Sequence, residues 1–180
     1  MGVHGTVEPK IGWPHVSRHQ ELLFAEDLVV GASFDVGSWD VTLEEIVEFA
    51  RRWDPLPMHV DIESAATTPF GEIIASGLHT MAIMQRLNVD GFYSKVAIIA
   101  GRSLSNLRLV KPVRPGTRLW GPQVIDAVTR RPSGRALVTT TSTLVDQADA
   151  LVLSMTGEAV VVQRSTYTEG PPRSSSDGAD

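Results

Sequence analysis

The stretch Leu78 to Leu87, LHTMAIMQRL, sets Leu78, Met81, Ala82, Ile83, Met84 and Leu87 around most of a helical circumference, the pattern of a helix buried on nearly all sides. Such a helix needs a wrapping, and the chain beyond it supplies one. Val96–Ala100, Ser103–Val110, Arg118–Val128, Arg135–Val145 and Leu151–Val162 are rich in β-branched residues and read as strands. The turn-forming segments Lys111–Gly116, Arg130–Gly134 and Asp146–Asp149 are short enough to join antiparallel neighbours. An apolar helix followed by an antiparallel meander predicts an α+β domain whose sheet curls around that helix.

Upstream, Gly31 and Gly37 break the pattern over Phe24–Trp39, and FDVGSWDV (Phe34–Val41) alternates as a first strand. Thr42 and Glu45 form a capping box that starts a helix. Leu43, Ile46, Val47, Ala50 and Trp53 fall on one face of that helix and are expected inside, with Glu44, Glu48, Arg51 and Arg52 outside. The segment DIESAATTPF allows a short helix ended by Pro69. Residues 1–20 read as an irregular arm with Trp13 docking on the body. His4, His15 and His19 in that arm lack the paired carboxylates or regular spacing of a metal site. Residues 21–164 are expected to form the single domain, and 165–180 a disordered tail of Ser, Pro, Gly and acid.

A length of 180 residues suits one domain with its own core. The net charge of -5 offers no basic excess for phosphate contacts, so nucleic acid is not an expected partner. The absence of cysteine removes disulfides, thiolate metal ligands and a thiol nucleophile. There is no signal-peptide pattern and no run approaching the ~18 apolar residues of a membrane span. The expectation is a soluble cytoplasmic protein.

Polar residues of catalytic type gather between Trp53 and Thr80, in WDPLPMHVDIESAATTPFGEIIASGLHT. Asp54 and His59 are five positions apart. Neither a helix nor a straight strand turns such a pair the same way. Pro55 and Pro57 are expected to exclude a helix there and to bend the chain so that the two side chains can meet. Taken alone, Asp54 also reads as a turn residue and His59 as a structural histidine.

Three blocks in order, DPLPMH (Asp54–His59), the following VDIESAA and PFGEIIASGLHTM (Pro69–Met81), resemble the MaoC-like acyl dehydratases and (R)-specific enoyl-CoA hydratases over roughly Phe34 to Val162. The resemblance implies a hotdog domain, a curved antiparallel β-sheet wrapped around a central hydrophobic helix. It implies that Asp54 and His59 bind and activate one water, and that the backbone N–H of Gly77 holds the thioester oxygen. A helix N-terminus suits that task, because its N–H groups are unpaired and its dipole favours an oxyanion.

Ser76 and His79 are the substrate-binding candidates, Ser76 also reading as the N-cap of the central helix and His79 as a core histidine. Met81 and Met84 read as core that also lines an acyl tunnel. Arg102, Arg108, Lys111 and Arg114 read equally as contacts for coenzyme A phosphates and as ordinary surface.

The expected reaction is hydration of a 2-enoyl-CoA, or dehydration of the (R)-3-hydroxyacyl thioester, with no metal and no cofactor beyond the CoA or carrier thioester itself. A homodimer or higher homo-oligomer joined edge to edge is expected. Family hydratases usually carry Asn or Gln two positions after the aspartate, and here that position is Leu56, which cannot hydrogen-bond. An acyl-CoA thioesterase and a non-catalytic acyl-thioester-binding subunit are the alternatives.

Overall fold

The computed structural model describes residues 22–166. The predicted arm, with Trp13, His4, His15 and His19, and the predicted tail from 167 onward lie outside the described residues. Residues 165 and 166 of that tail are ordered in a 3-10 turn, Arg164–Thr166, where the Thr166 hydroxyl donates to the Gly134 carbonyl at 2.8 Å.

β1 (Ser33–Asp40), α1 (Leu43–Trp53), α2 (Pro57–Val60), α3 (Ile62–Ala66) and α4 (Gly77–Gly91) precede β2 (Ile98–Leu109), β3 (Arg118–Arg131), β4 (Arg135–Val145) and β5 (Leu151–Val162). The strands make one antiparallel sheet in the order β1-β3-β4-β5-β2. The predicted meander holds for β3 to β5, whose turns are short. β2 instead crosses to the far edge beside β5, and the two strands predicted around Gly101 are one strand. Its register shifts between Gly101 and Ser103 and again between Ser105 and Arg108, so bulges absorb the break that the sequence shows. Asn106 takes a left-handed φ of 52° within the second shift, a conformation that asparagine tolerates better than most residues.

α4 lies on the concave face. Ile83, Met84 and Leu87 point into the core with Leu119, Leu144, Leu153 and Met155. Each such side chain contributes roughly 1.5–3 kcal/mol by leaving water. The far end of α4 is seated on β1 through Gly91, where a Cβ would lie 2.4 Å from the Val36 Cα. Only a residue without a side chain allows that approach.

The expectation that α4 is buried on nearly all sides is not met within one chain. Leu78 is 50% exposed and Val89 38%, because the sheet covers α4 from one side only. Next to that open side, β2 is exposed along its whole length and displays Leu104, Leu107 and Leu109.

α1 starts as predicted, with the Thr42 Oγ1 accepting the Glu45 N–H at 3.2 Å. The capping box is only half formed, since the Glu45 carboxylate turns away to accept the Trp39 Nε1–H at 2.9 Å. Ile46 and Ala50 are buried as expected. Trp53 is not, being 61% exposed, because α1 runs past the edge of its packing surface at the last residue. The Arg52 guanidinium covers its ring instead, 5.1 Å from the ring centre.

Candidate active site

The chain leaves α1 through Asp54, whose N–H still donates to the Ala50 carbonyl at 2.9 Å while its own φ and ψ, -156° and 68°, are no longer helical. The Leu56 N–H donates back to the Asp54 carbonyl at 2.8 Å, and the chain turns sharply. Contrary to the sequence expectation, a helix follows at once. Pro57 occupies the first turn of α2, the one place where a missing N–H costs nothing and a fixed φ helps. Pro55 provides the bend; α2 then carries His59 back beneath Asp54.

His59 is 4% exposed, and its Nδ1 lies 2.7 Å from the Ile74 carbonyl oxygen. A carbonyl only accepts, so Nδ1 carries a proton, and in the neutral form of the ring Nε2 presents its lone pair. That lone pair lies 3.7 Å from Asp54 Oδ2, too far for a direct hydrogen bond. Two acceptors facing each other at this spacing suit a small molecule with two hydrogens to donate, and water is the obvious one.

Ser76 fixes the other side of the carboxylate. It is fully buried, and its hydroxyl donates to Asp54 Oδ2 at 2.6 Å while accepting the Leu78 N–H at 3.1 Å. Ser76 is therefore the N-cap of α4, as the sequence indicates, and both directions of its hydroxyl are used inside the protein. It faces Asp54 rather than open space. The next residue, Gly77, makes no hydrogen bond through its N–H among the described residues, since α4 begins there. A Cβ on Gly77 would lie 2.4 Å from a Leu109 methyl, so the glycine lets β2 come close to the helix start. The site thus joins the end of α1, the α2 turn and the start of α4, through the Ser76–Asp54 bond.

Of the two readings of His79, the structure places it as a core residue. It points to α1, stacked on Phe49 with ring centres 4.7 Å apart and with Nε2 3.7 Å from Glu45 Oε1. Its buried Nδ1 has no hydrogen-bond partner among the described residues. Burial pushes its pKa below the ordinary histidine range, and the nearby Glu45 opposes this only in part. The unfolded chain therefore binds the proton more readily. The stability contributed by neutral His79 is complete above the unfolded pKa of about 6.5 and is lost as the pH falls below it towards the lower folded value. The urea midpoint of the wild type should accordingly fall more than that of His79→Gln between neutral and mildly acid pH. Equal losses would show that His79 is not protonated on unfolding.

An apolar groove runs from the start of α4 along its open side. Its first part, about 390 Å³, is bounded by Phe49, Trp53, Leu78, Met81 and Leu104. A second part, about 1070 Å³, shares Gln85 and Leu104 with the first and continues between α4, β2 and β5 past Val89 to Tyr93. Met81 lines this groove, whereas Met84, 1% exposed, is core. Leu78 to Val89 spans about 17 Å at 1.5 Å per helical residue.

Leu56 is 47% exposed at the N-terminus of α2. Two of the four basic candidates are engaged within the chain. Lys111 pairs with Asp146, and this hydrogen bond, backed by the Ala148 and Ala150 N–H groups, holds the Asp146 carboxyl below the usual carboxylate range. Arg114 pairs with Glu72 at 2.6 Å. Arg102 and Arg108, both on β2, make no ion pair among the described residues. Nor do the described residues hold a group of three or more His, Asp or Glu arranged for a metal. No described helix is long and apolar enough to cross a membrane.

Sequence reasoning did not single out Asn88, Tyr93, Gln123, Thr140 and Ser142, which form a polar layer beneath the groove. The signal was present as polar residues at inward positions of the strands, Gln123 two before Ile125 and Thr140 two after Val138.

The model of the MaoC like domain family matches residues 28–146. The crystal structure of the MaoC-like dehydratase from Rhodospirillum rubrum superposes with a TM-score of 0.72 at 39% identity, covering 79% of this chain and 98% of that one. The (R)-hydratase from A. caviae involved in PHA biosynthesis does so with a TM-score of 0.61 at 28% identity, covering 77% and 98%. The 3-hydroxyacyl-thioester dehydratase Z of Mycobacterium tuberculosis is 32% identical over 129 residues, 69% of this chain and 85% of that protein. With a curved antiparallel sheet laid over one long helix and a match across most of its length, this chain belongs to the MaoC-like dehydratase family of hotdog proteins.

Proposed function

We propose that the protein is a hydro-lyase that adds water to 2-enoyl thioesters and, in reverse, dehydrates (R)-3-hydroxyacyl thioesters. The carrying observation is the pair of acceptors, Asp54 Oδ2 and His59 Nε2, held 3.7 Å apart beside an unpaired N–H at a helix start. A water donating one hydrogen to each acceptor keeps a lone pair free for the β-carbon of the substrate. As that carbon–oxygen bond forms, Asp54 takes the proton released by the water, and the electrons of the double bond move to the thioester oxygen. The Gly77 N–H stabilises that oxyanion; one such donor is worth about 3 kcal/mol. Return of a proton to the α-carbon completes the addition, and general acid–base help of this kind contributes roughly 10²–10⁴ in rate. Ser76 acts by positioning Asp54. The groove along α4 receives the acyl chain, and CoA or a carrier forms the rest of the substrate.

Loss of enoyl absorbance with a panel of 2-enoyl-CoA esters of increasing length tests this reading. No turnover of any ester, in either direction, would defeat it. The exposed Leu56, where relatives usually carry an amide, favours a second reading, an acyl-thioester-binding subunit without activity. Calorimetric binding of acyl-CoA without turnover would support that alternative.

The bare, bulged edge of β2 and the open side of α4 together support a homodimer. An unpaired apolar edge is a liability that a second copy removes. Light scattering should give the mass of at least two chains, and a monomer at micromolar concentration would contradict this part of the proposal.

A further inference from the structure

The core has two apolar clusters, one around Ile83, Met84 and Leu144 and the other around Phe92, Ile125 and Val138. Between them, on the concave face, lies a layer of polar side chains. Gln123 is fully buried, and its Nε2 donates to the Tyr93 hydroxyl at 2.8 Å and to Thr140 Oγ1 at 3.0 Å. Asn88 Nδ2 donates to Ser142 Oγ at 2.9 Å. The amide oxygens of both residues, Gln123 Oε1 and Asn88 Oδ1, are buried without partners among the described residues. Packing alone gives no reason for this layer, since hydrophobic residues of the same shape would avoid the cost of orphaned acceptors.

The layer reaches the groove at one place. Tyr93 and Gly157 both line the deeper part. The Tyr93 oxygen already accepts from Gln123, so its own hydrogen has only Thr140 Oγ1, at the limiting distance of 3.5 Å. A Cβ on Gly157 would stand 3.7 Å from the Tyr93 hydroxyl and 3.6 Å from Thr140 Oγ1. These are ordinary contacts, so alanine would fit there; Thr140 is buried, and the half-buried Tyr93 is the member of the layer that lines the groove. Gln85, Ser94, Arg102, Ser103 and Glu158 also line this part, but the Ser94 and Ser103 hydroxyls donate to the Asp90 carbonyl and the Glu158 carboxylate, whereas the Tyr93 hydroxyl, oriented from behind by a buried amide, has only the long contact to Thr140 for its hydrogen.

We propose that the acyl group taken by this site carries an oxygen function, a keto or hydroxyl group, in the distal part of its chain, and that the Tyr93 hydroxyl recognises it. The inference rests on the hydro-lyase reading for the placement of the thioester. A plain hydrocarbon chain would leave the Tyr93 hydrogen with only the 3.5 Å contact to Thr140 Oγ1, whereas an oxygenated chain gives it a better-placed acceptor.

The test compares 2-enoyl-CoA esters of equal length, with and without a keto group scanned through the distal half of the chain. The wild type should favour one oxygenated ester in kcat/KM by about tenfold, the worth of one hydrogen bond. Tyr93→Phe should bring that ratio near one, and so should Gly157→Ala, which covers the hydroxyl and serves should the first variant fold poorly. A wild type indifferent to the oxygen, or a ratio unchanged in both variants, overturns the inference while leaving the hydro-lyase reading in place. The same comparison by calorimetric Kd with saturated acyl-CoA esters needs no turnover. A Kd ratio that collapses in Tyr93→Phe, in a protein that hydrates nothing, would uphold the polar recognition and discard the reaction.

Discussion

Asp54→Asn should lower the hydration rate about a thousandfold, within the range that general acid–base groups contribute, while the protein stays folded. Asparagine is the informative replacement because it keeps the shape of the side chain. Its Oδ1 can still accept from Ser76, whose hydroxyl donates to Asp54 at 2.6 Å, so the start of α4 keeps its cap and α1 keeps its end. What is lost is the ability to take a proton from water. Circular dichroism and the thermal midpoint should be nearly those of the wild type. A variant with full activity would remove Asp54 from the reaction; a variant that unfolds would show that the carboxylate is chiefly a structural partner of Ser76.

Gly121→Ala should destabilise the protein by about 3 kcal/mol or more, the upper end of overpacking costs. Gly121 faces inward on β3, and a Cβ there would lie 2.0 Å from the Thr143 carbonyl oxygen and 3.0 Å from its carbonyl carbon, on β4. Both are backbone atoms of the paired strand, so no side chain can swing aside, and relief requires β3 and β4 to separate. Against a typical total of about 5–15 kcal/mol, this loss is a large fraction. Gly101→Ala is the control, because nothing lies within 4 Å of the Cβ it would add. Urea unfolding should show a large drop for the first and little change for the second; similar midpoints would mean that the sheet yields at Gly121.

The parts of this fold that follow a local rule were legible in the sequence. The start of α1 at Thr42, the cap at Ser76 and the long strands Arg118–Val128, which the fold extends to Arg131, Arg135–Val145 and Leu151–Val162 each follow from short-range chemistry or periodicity. α2 was not, because two prolines within three residues suggest a loop, and only the position of Pro57 at the helix start makes it compatible with one. Trp53 has the right spacing for the core face of α1 but lies at its last turn, where the packing surface has ended. The apolar circumference of α4 is plain in the sequence, but burial on nearly all sides does not follow from it, since the sheet covers one side and leaves Leu78 and Val89 exposed. The bond from Ser76 to Asp54 and the polar layer around Gln123 arise from residues far apart in sequence, and no period or spacing reports them. The family blocks pointed to Asp54, His59 and Gly77, and the fold brings the first two together at the α4 start without showing what they do.

The claim that Asp54 and His59 direct water to the β-carbon is tested most directly by turnover of a 2-enoyl-CoA in water enriched in heavy oxygen, followed by mass spectrometry of the products. Hydration predicts an intact CoA thioester with the heavy oxygen on the β-carbon and no released thiol. Label in a free carboxylic acid, with CoA thiol released in equal amount, would place the attack at the carbonyl and contradict the account.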